Sequence, residues 1–151
     1  MKVVLALGSN LGDRESNIDR AIAELNKVLE ITHLSSLIET DPVGGPEQPN
    51  YLNAVALGEC DLEPLELLRH ALRIESELGR VRAEKWGARI IDIDLIAMGE
   101  ISIKTAELTL PHPLAHQRTF VLEPWSEIEP DAILPGFGPI TTLLSDLHER
   151  E

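Results

Sequence analysis

An α+β fold with an antiparallel sheet, in the element order β-α-β-β-α-β, is what the first hundred residues of this chain predict. Three observations carry that expectation. Apolar runs short enough for strands alternate with stretches of helical periodicity. The helical stretches have chemically marked starts or stops. The breaks dense in Pro and Gly fall between these elements rather than inside them. That order is the ferredoxin-like split motif, in which helices cover an antiparallel sheet.

The elements follow in turn. Met1 to Leu7 is a short apolar run, a buried strand ending at Gly8. After the turn-rich "GSNLGDR", residues Ile18, Ala21, Ile22, Leu25 and Leu29 recur at helical spacing. Ile31 to Glu39 is compatible with β structure and ends at "TDPVGGPEQPN", a composition only a loop accommodates. "YLNAVAL" is the next strand. Pro64 suits a first helical turn, with the cap at Asp61 or Leu62. Leu67, Leu68, Ala71, Leu72, Glu75 and Leu78 continue that helix to a stop at Gly79. Ile90 to Ala97 is a strand, "ISIKTAELTL" a hairpin arm, and "TFVLEP" a further strand. A last helix runs from about Ile140 to Arg150. No repeat, low-complexity tract or linker interrupts the 151 residues, so one domain spanning 1–151 is expected. The breaks Asp41 to Asn50 and Arg82 to Gly87 lie within it as candidate lids.

Composition narrows the partners. The chain carries 26 acidic and 13 basic residues, a net charge of −13. That balance argues against nucleic acid and against anionic membrane surfaces, both of which call for a broad basic face. No run approaches the ~18 apolar residues of a membrane span, and the apolar start from Val3 to Leu7 is too short for a signal peptide. Cys60 is the single cysteine, which leaves no internal disulfide or cysteine metal cage and suits a reducing, cytoplasmic setting.

Against that acidic background, "RVRAEKWGARIIDIDL" places Arg80, Arg82, Lys85 and Arg89 just ahead of Asp92 and Asp94. On a strand, Asp92 and Asp94 share one face, with Cα atoms roughly 6.5–7 Å apart. Carboxylates so spaced can lean around one cation, or around two cations about 3.5–4 Å apart. All-oxygen ligation by few protein groups suits Mg²⁺, which keeps waters and recruits substrate phosphates. Mg²⁺ beside several guanidinium groups makes a polyphosphate clamp. A polar strand face next to a solvated basic loop is the plainer alternative.

Other motifs add to this. "LPHPLAHQRTF" supplies His112, His116 and Arg118, and His112, between two prolines, has little backbone freedom. "GSNLGDRE" lacks the Walker G-K-[ST], so the common P-loop is excluded. Tyr51 and Asn53 share a strand face, where an aromatic plane beside an amide can hold a flat heterocycle; ordinary packing would use the same residues.

Taken in order, "ALGSNLGDR", "ETDPVGGPEQPNYLNAV", "IESELGRVRAEKWGARIIDIDL" and "LPHPLAHQRTFVLEP" resemble the 6-hydroxymethyl-7,8-dihydropterin pyrophosphokinases of folate biosynthesis, over nearly the whole chain. The most specific stretch is Gly79 to Leu95, with W-G-x-R-x-x-D-x-D. The resemblance implies a three-layer αβα form of the ferredoxin-like fold, with helices on both faces of the sheet. It also implies transfer of pyrophosphate from ATP to the pterin's hydroxymethyl group, leaving AMP. Asp92 and Asp94 would then hold two Mg²⁺ ions. Arg80, Arg82 and Arg89 would join them at the reacting phosphates. Glu75, Arg82, Trp86, Arg89, His112 and Arg118 would contact ATP. Thr40, Val43, Tyr51, Asn53, Trp86, Asp92 and Phe120 would line the pterin site, with Tyr51 or Phe120 stacking on the ring. A cytoplasmic monomer acting on these small molecules is expected, and no residue stands out as a general base.

The chain departs from that pattern in places. Leu72 stands where some relatives place a glutamine near ATP, Ala88 replaces a common proline, and the lid loop is slightly shorter. Two other activities fit the same residues. Another metal-dependent phosphotransferase or nucleotidyltransferase would release ADP or pyrophosphate. A non-catalytic ligand-sensing module would bind pterin or nucleotide without Mg²⁺ dependence or turnover.

Overall fold

The computed structural model describes residues 1–41, 49–79 and 90–150. The expectations placed on Val43, Arg80, Arg82, Lys85, Trp86 and Arg89, on the Arg82 to Gly87 lid and on positions 42–48 of the other lid, lie outside the described residues.

The central strand is β1 (Lys2–Ser9), flanked antiparallel by β4 (Tyr51–Glu59) and β5 (Asp92–Met98). β2 (Glu30–Leu34) and β3 (Ile38–Thr40) both pair antiparallel with β4, giving a five-stranded sheet of order β2-β4-β1-β5 with β3 beside β4. α1 (Arg14–Leu25) and α2 (Pro64–Gly79) make the two crossovers, so the β-α-β-β-α-β order holds. The continuous β-compatible run Ile31 to Glu39 is divided at Ser35, whose N–H donates to the Val55 carbonyl while its Oγ accepts from the Val55 N–H, each at 2.9 Å. That exchange lets the chain change register and still follow one partner strand.

Strand alternation sends residues to two cores. Val3, Leu5, Leu7, Ile93 and Leu95 meet Ile18, Ala21 and Leu25 of α1 and Leu67, Ala71 and Ile74 of α2. On the opposite face Val4, Val55, Leu57 and Ile96 meet Val121, Leu122 and Trp125 of α3 (Thr119–Ile128) and Ile140 of α4 (Ile140–Glu149). Helices therefore cover both faces, as the three-layer expectation has it. Each fully buried Leu or Ile contributes about 1.5–3 kcal/mol of apolar transfer.

One expected element is corrected. "TFVLEP" is not a strand but the first half of α3. Val121 and Leu122 sit one helical turn before Trp125 on the buried side, and Pro124 falls inside the helix, where its punctuation misleads a reading by residue type. The cap of α2 is also later than Asp61 or Leu62: the Leu67 N–H donates to the Glu63 carbonyl, and the Glu63 N–H to Glu66 Oε1 at 3.1 Å. "ISIKTAELTL" forms the small hairpin β6 (Ile103–Lys104) and β7 (Thr109–Leu110), and the last helix lies as expected. A second small hairpin, β8 (Ile133–Leu134) with β9 (Gly138–Pro139), leads into it.

Candidate active site

The site grows from the register of three strands. Gly8 on β1 lies opposite Asn53 on β4 and Asp92 on β5; one pair further in, Ala6 lies opposite Val55 and Asp94. With strands about 4.8 Å apart, Asn53 and Asp92 stand about 10 Å from each other across a residue that has no side chain. All of these face the α3–α4 side, but α3 begins only at Thr119 and leaves this end of the sheet uncovered. The result is a cleft of about 210 Å³ floored by Ala6 and Gly8 and walled by Thr40, Asp41, Tyr51, Asn53, Asp92, Asp94, Arg118 and Phe120.

Gly8 is required by that closeness. A Cβ there would stand 3.1 Å from Asn53 Oδ1 and 3.3 Å from Tyr51 Cδ1, tighter than ordinary packing. Gly8→Ala is therefore expected to displace both side chains and cut affinity for a flat-ring ligand about threefold to tenfold, with ATP affinity unchanged, since small overpacking costs about 1 kcal/mol or more. Isothermal titration of the two ligands separately checks this. Asn53 is buried, and its Nδ2 donates to Thr40 Oγ1 at 2.6 Å, which turns Oδ1 toward the bare floor.

A second cleft, of about 400 Å³, wraps the outer edge of β5 between Leu68, Leu72 and Glu75 of α2, the stretch Thr105–Thr109 and His112. Asp92 and Asp94 line both clefts. The two spaces thus meet at one pair of carboxylates. Asp94 lies 3.8 Å from Arg118 Nη1, with both side chains partly exposed. Arg118 in turn stands over the Phe120 ring, 5.5 Å from its centroid. Two hard carboxylates with partial exposure fit an ion such as Mg²⁺, which completes its shell with water and ligand oxygens. No group of three or more acidic, His or Cys side chains that could cage a metal occurs among the described residues.

His112 is tied to the same edge, because its N–H donates to the Ile96 carbonyl at 2.9 Å, two residues beyond Asp94. Its Nδ1 accepts the Leu114 N–H at 3.1 Å, so the neutral ring carries its proton on Nε2. Burial lowers its pKa below the ordinary histidine value; Asp94 pulls it up and Arg118 pushes it down. A neutral Nε2–H donor is what remains.

Glu75 lines the second cleft and also braces β5. Its Oε2 accepts the Ile93 N–H at 2.7 Å, on the edge of β5 between the two aspartates. That bond helps hold Asp92 and Asp94 in line. Glu75→Ala should reduce kcat/KM for Mg-ATP roughly tenfold, and Glu75→Gln, whose amide oxygen can still accept, should retain most of it, given the ~1.5–3 kcal/mol of a hydrogen bond to a charged group. Equal losses in the two variants would mean the charge itself matters. Both ratios come from steady-state kinetics.

Of the expected residues, Thr40, Tyr51, Asn53, Asp92, Asp94, Arg118 and Phe120 come together in the first cleft. Glu75 and His112 come together in the second. Ala6, Gly8 and Asp41 were missed; the first two are legible only once β1 is paired with both neighbours. His116, also in the PHP segment, lies away from both clefts and stacks on Phe137 at 4.3 Å between centroids.

Comparison with known proteins bears on the family and the fold. The family model described as 7,8-dihydro-6-hydroxymethylpterin-pyrophosphokinase matches residues 4–130. Relatives named 2-amino-4-hydroxy-6-hydroxymethyldihydropteridine pyrophosphokinase include one from Mycobacterium tuberculosis, 43% identical over 163 aligned positions that cover 99% of this chain and 86% of the relative. The Haemophilus influenzae protein of that name is 40% identical over 150 positions, covering 97% and 93%. Among solved structures, an HPPK-DHPS in complex with substrates superposes with a TM-score of 0.73 at 15% identity, covering 99% of this chain and 44% of that one. The wild-type Plasmodium falciparum HPPK-DHPS gives 0.72 at 15% identity, covering 99% and 41%. The chain spans less than half of those two proteins, and at such identity the likeness speaks for the fold alone. With a family model over most of its length and relatives at 40–43% identity across nearly all of it, the chain belongs to the 7,8-dihydro-6-hydroxymethylpterin-pyrophosphokinase family.

Proposed function

We propose that this protein transfers pyrophosphate from ATP to the hydroxymethyl group of 6-hydroxymethyl-7,8-dihydropterin, releasing AMP, as a step of folate biosynthesis. The observation that carries the reading is the meeting of two clefts at Asp92 and Asp94, one suited to a flat ring and the other to a nucleotide. Family membership supplies the chemistry.

In this reading the pterin lies over Gly8, stacked against Tyr51 or Phe120. Asn53 Oδ1 and the Thr40 hydroxyl meet its amino and amide edge, and its hydroxymethyl arm points toward Asp92. ATP occupies the cleft beside α2, with Glu75 holding β5 behind it. Arg118 and the His112 Nε2–H meet phosphate oxygens. Arg80, Arg82, Arg89, Val43 and Trp86 keep the roles that the family pattern implies. Asp92 and Asp94 hold two Mg²⁺ ions, which would neutralise charge on the transferring group when bound. In-line transfer then rests on positioning and on charge stabilisation, and needs no strong general base.

The same reading makes residues 1–151 one catalytic unit, working in the cytoplasm as a monomer on small molecules. Among the described residues no helix is long and apolar enough to cross a membrane. The test is incubation with ATP, Mg²⁺ and the hydroxymethyl-dihydropterin, followed by identification of the nucleotide product. AMP formed only with the pterin present is the expected result. ADP, or free pyrophosphate with a nucleotidylated pterin, would replace the reading with one of the other phosphate transfers.

A further inference from the structure

Thr40, Tyr51 and Asn53 face the first cleft, but what holds them there lies behind the sheet. β3 and β4 are joined by only three Cα pairs, of which Thr40 with Tyr51 is the last. A ladder that short gives β3, and Thr40 with it, little backbone support of its own, while β4 is held from Leu52 onward by its pairing with β1. Alternation turns Glu39, next to Thr40, to the back of the sheet.

There it meets Arg14, the first residue of α1, whose helix is capped by Asp13 accepting the Ser16 N–H at 3.1 Å. Arg14 Nη1 donates to the Asn50 carbonyl at 3.0 Å, and Nη2 donates to Glu39 Oε1 at 3.3 Å. Asn50 Nδ2 completes the triangle by donating to Glu39 Oε2 at 3.3 Å. Beside it, Asn10 Nδ2 donates to the Pro49 carbonyl at 3.0 Å. The Arg14 side chain is 30% exposed and that of Glu39 53%, so the clamp sits at the rim of the sheet and rests on its several contacts rather than on burial. A planar fork can bind two acceptors at once, which an ammonium on a flexible stem does not do in fixed geometry.

We propose that Arg14 is a positioning residue for the flat-ring substrate, clamping Glu39 to Asn50 so that Thr40, Tyr51 and Asn53 keep their places in the cleft. The proposal rests on the substrate reading above. Arg14 touches neither substrate in it. The clamp acts one residue before each of two cleft residues: Glu39 precedes Thr40, and Asn50 precedes Tyr51. Its effect should therefore fall on the pterin and spare the nucleotide, whose cleft is built from α2, β5 and the segment around His112.

The experiment is calorimetric titration of the wild type, Arg14→Ala, Arg14→Lys, Glu39→Ala and the double variant Arg14→Ala with Glu39→Ala. Each is titrated with a nonhydrolysable ATP analogue and Mg²⁺, and then with the pterin in its presence. Melting temperatures are recorded alongside. Arg14→Ala should raise the pterin Kd about threefold to fivefold while the analogue Kd stays within about twofold, the scale of losing a partly exposed charge-assisted pair together with its carbonyl contact. Arg14→Lys should fall between the two, and Glu39→Ala should resemble Arg14→Ala. The double variant should be no worse than the worse single, since one clamp is lost in each. An unchanged pterin Kd in folded Arg14→Ala or Arg14→Lys would overturn the assignment. So would equal weakening of both ligands with a matching fall in melting temperature. A wild type that binds no pterin would overturn the substrate reading, and this inference with it; pterin bound equally by wild type and variants would sink the clamp alone.

Discussion

Turnover falls at least about a hundredfold in Asp92→Asn and in Asp94→Asn, because each removes a charge at the point where the two clefts join. Asparagine keeps the shape of the side chain but offers only a neutral oxygen, a much weaker partner for Mg²⁺ than a carboxylate. The strand itself should survive. Asp92 and Asp94 are partly exposed at the start of β5, while the buried side of that strand is carried by Ile93 and Leu95. Losing Asp94 also releases Arg118, but both ends of that 3.8 Å pair are partly exposed, and such pairs contribute about 0–1 kcal/mol. Melting curves close to the wild type together with lost activity, measured across a Mg²⁺ series, are the expected pattern. Near-normal turnover of either variant at low Mg²⁺ would remove the metal assignment.

Asn53→Ala comes next in size. The side chain is buried, spans from Thr40 Oγ1 to the floor above Gly8, and in the proposed reading faces the polar edge of the pterin. Truncation strands polar groups on the ligand and on Thr40 together, for about 1–3 kcal/mol, or roughly fivefold to 150-fold in pterin Kd. ATP-analogue affinity should stay nearly constant, because the second cleft shares no wall with Asn53. Titration of both ligands into one preparation reads the ratio directly. Equal losses for the two would make Asn53 a structural residue.

Much of this was legible in the residues. The shared face of Asp92 and Asp94 follows from strand period alone, and β5 places them so. Tyr51 and Asn53 are paired by the same rule, and both line the cleft. Pro64 opens α2 as its fixed φ allows, while Gly79 is the helix's last described residue and lacks the left-handed backbone of a glycine stop. α3 was not legible in the same way. A short apolar run with a proline in it carries no length from which to tell helix from strand, and the choice went to the helix because Val121, Leu122 and Trp125 could bury together on the open face of the sheet.

Local pattern, then, determined most of the elements and which face each strand side chain takes, and left α3 to the packing. These depend on spacings of a few residues, and the chain carries them wherever it goes. Only the tertiary structure decided what lies opposite what. Gly8 becomes the floor of a cleft because β1 pairs with β4 and β5 at once. Glu75 reaches Ile93 across 18 positions, and Arg14 reaches Glu39 across 25. Such contacts are set by sheet register and helix docking, which are summed over the whole core, and no window of sequence holds that sum.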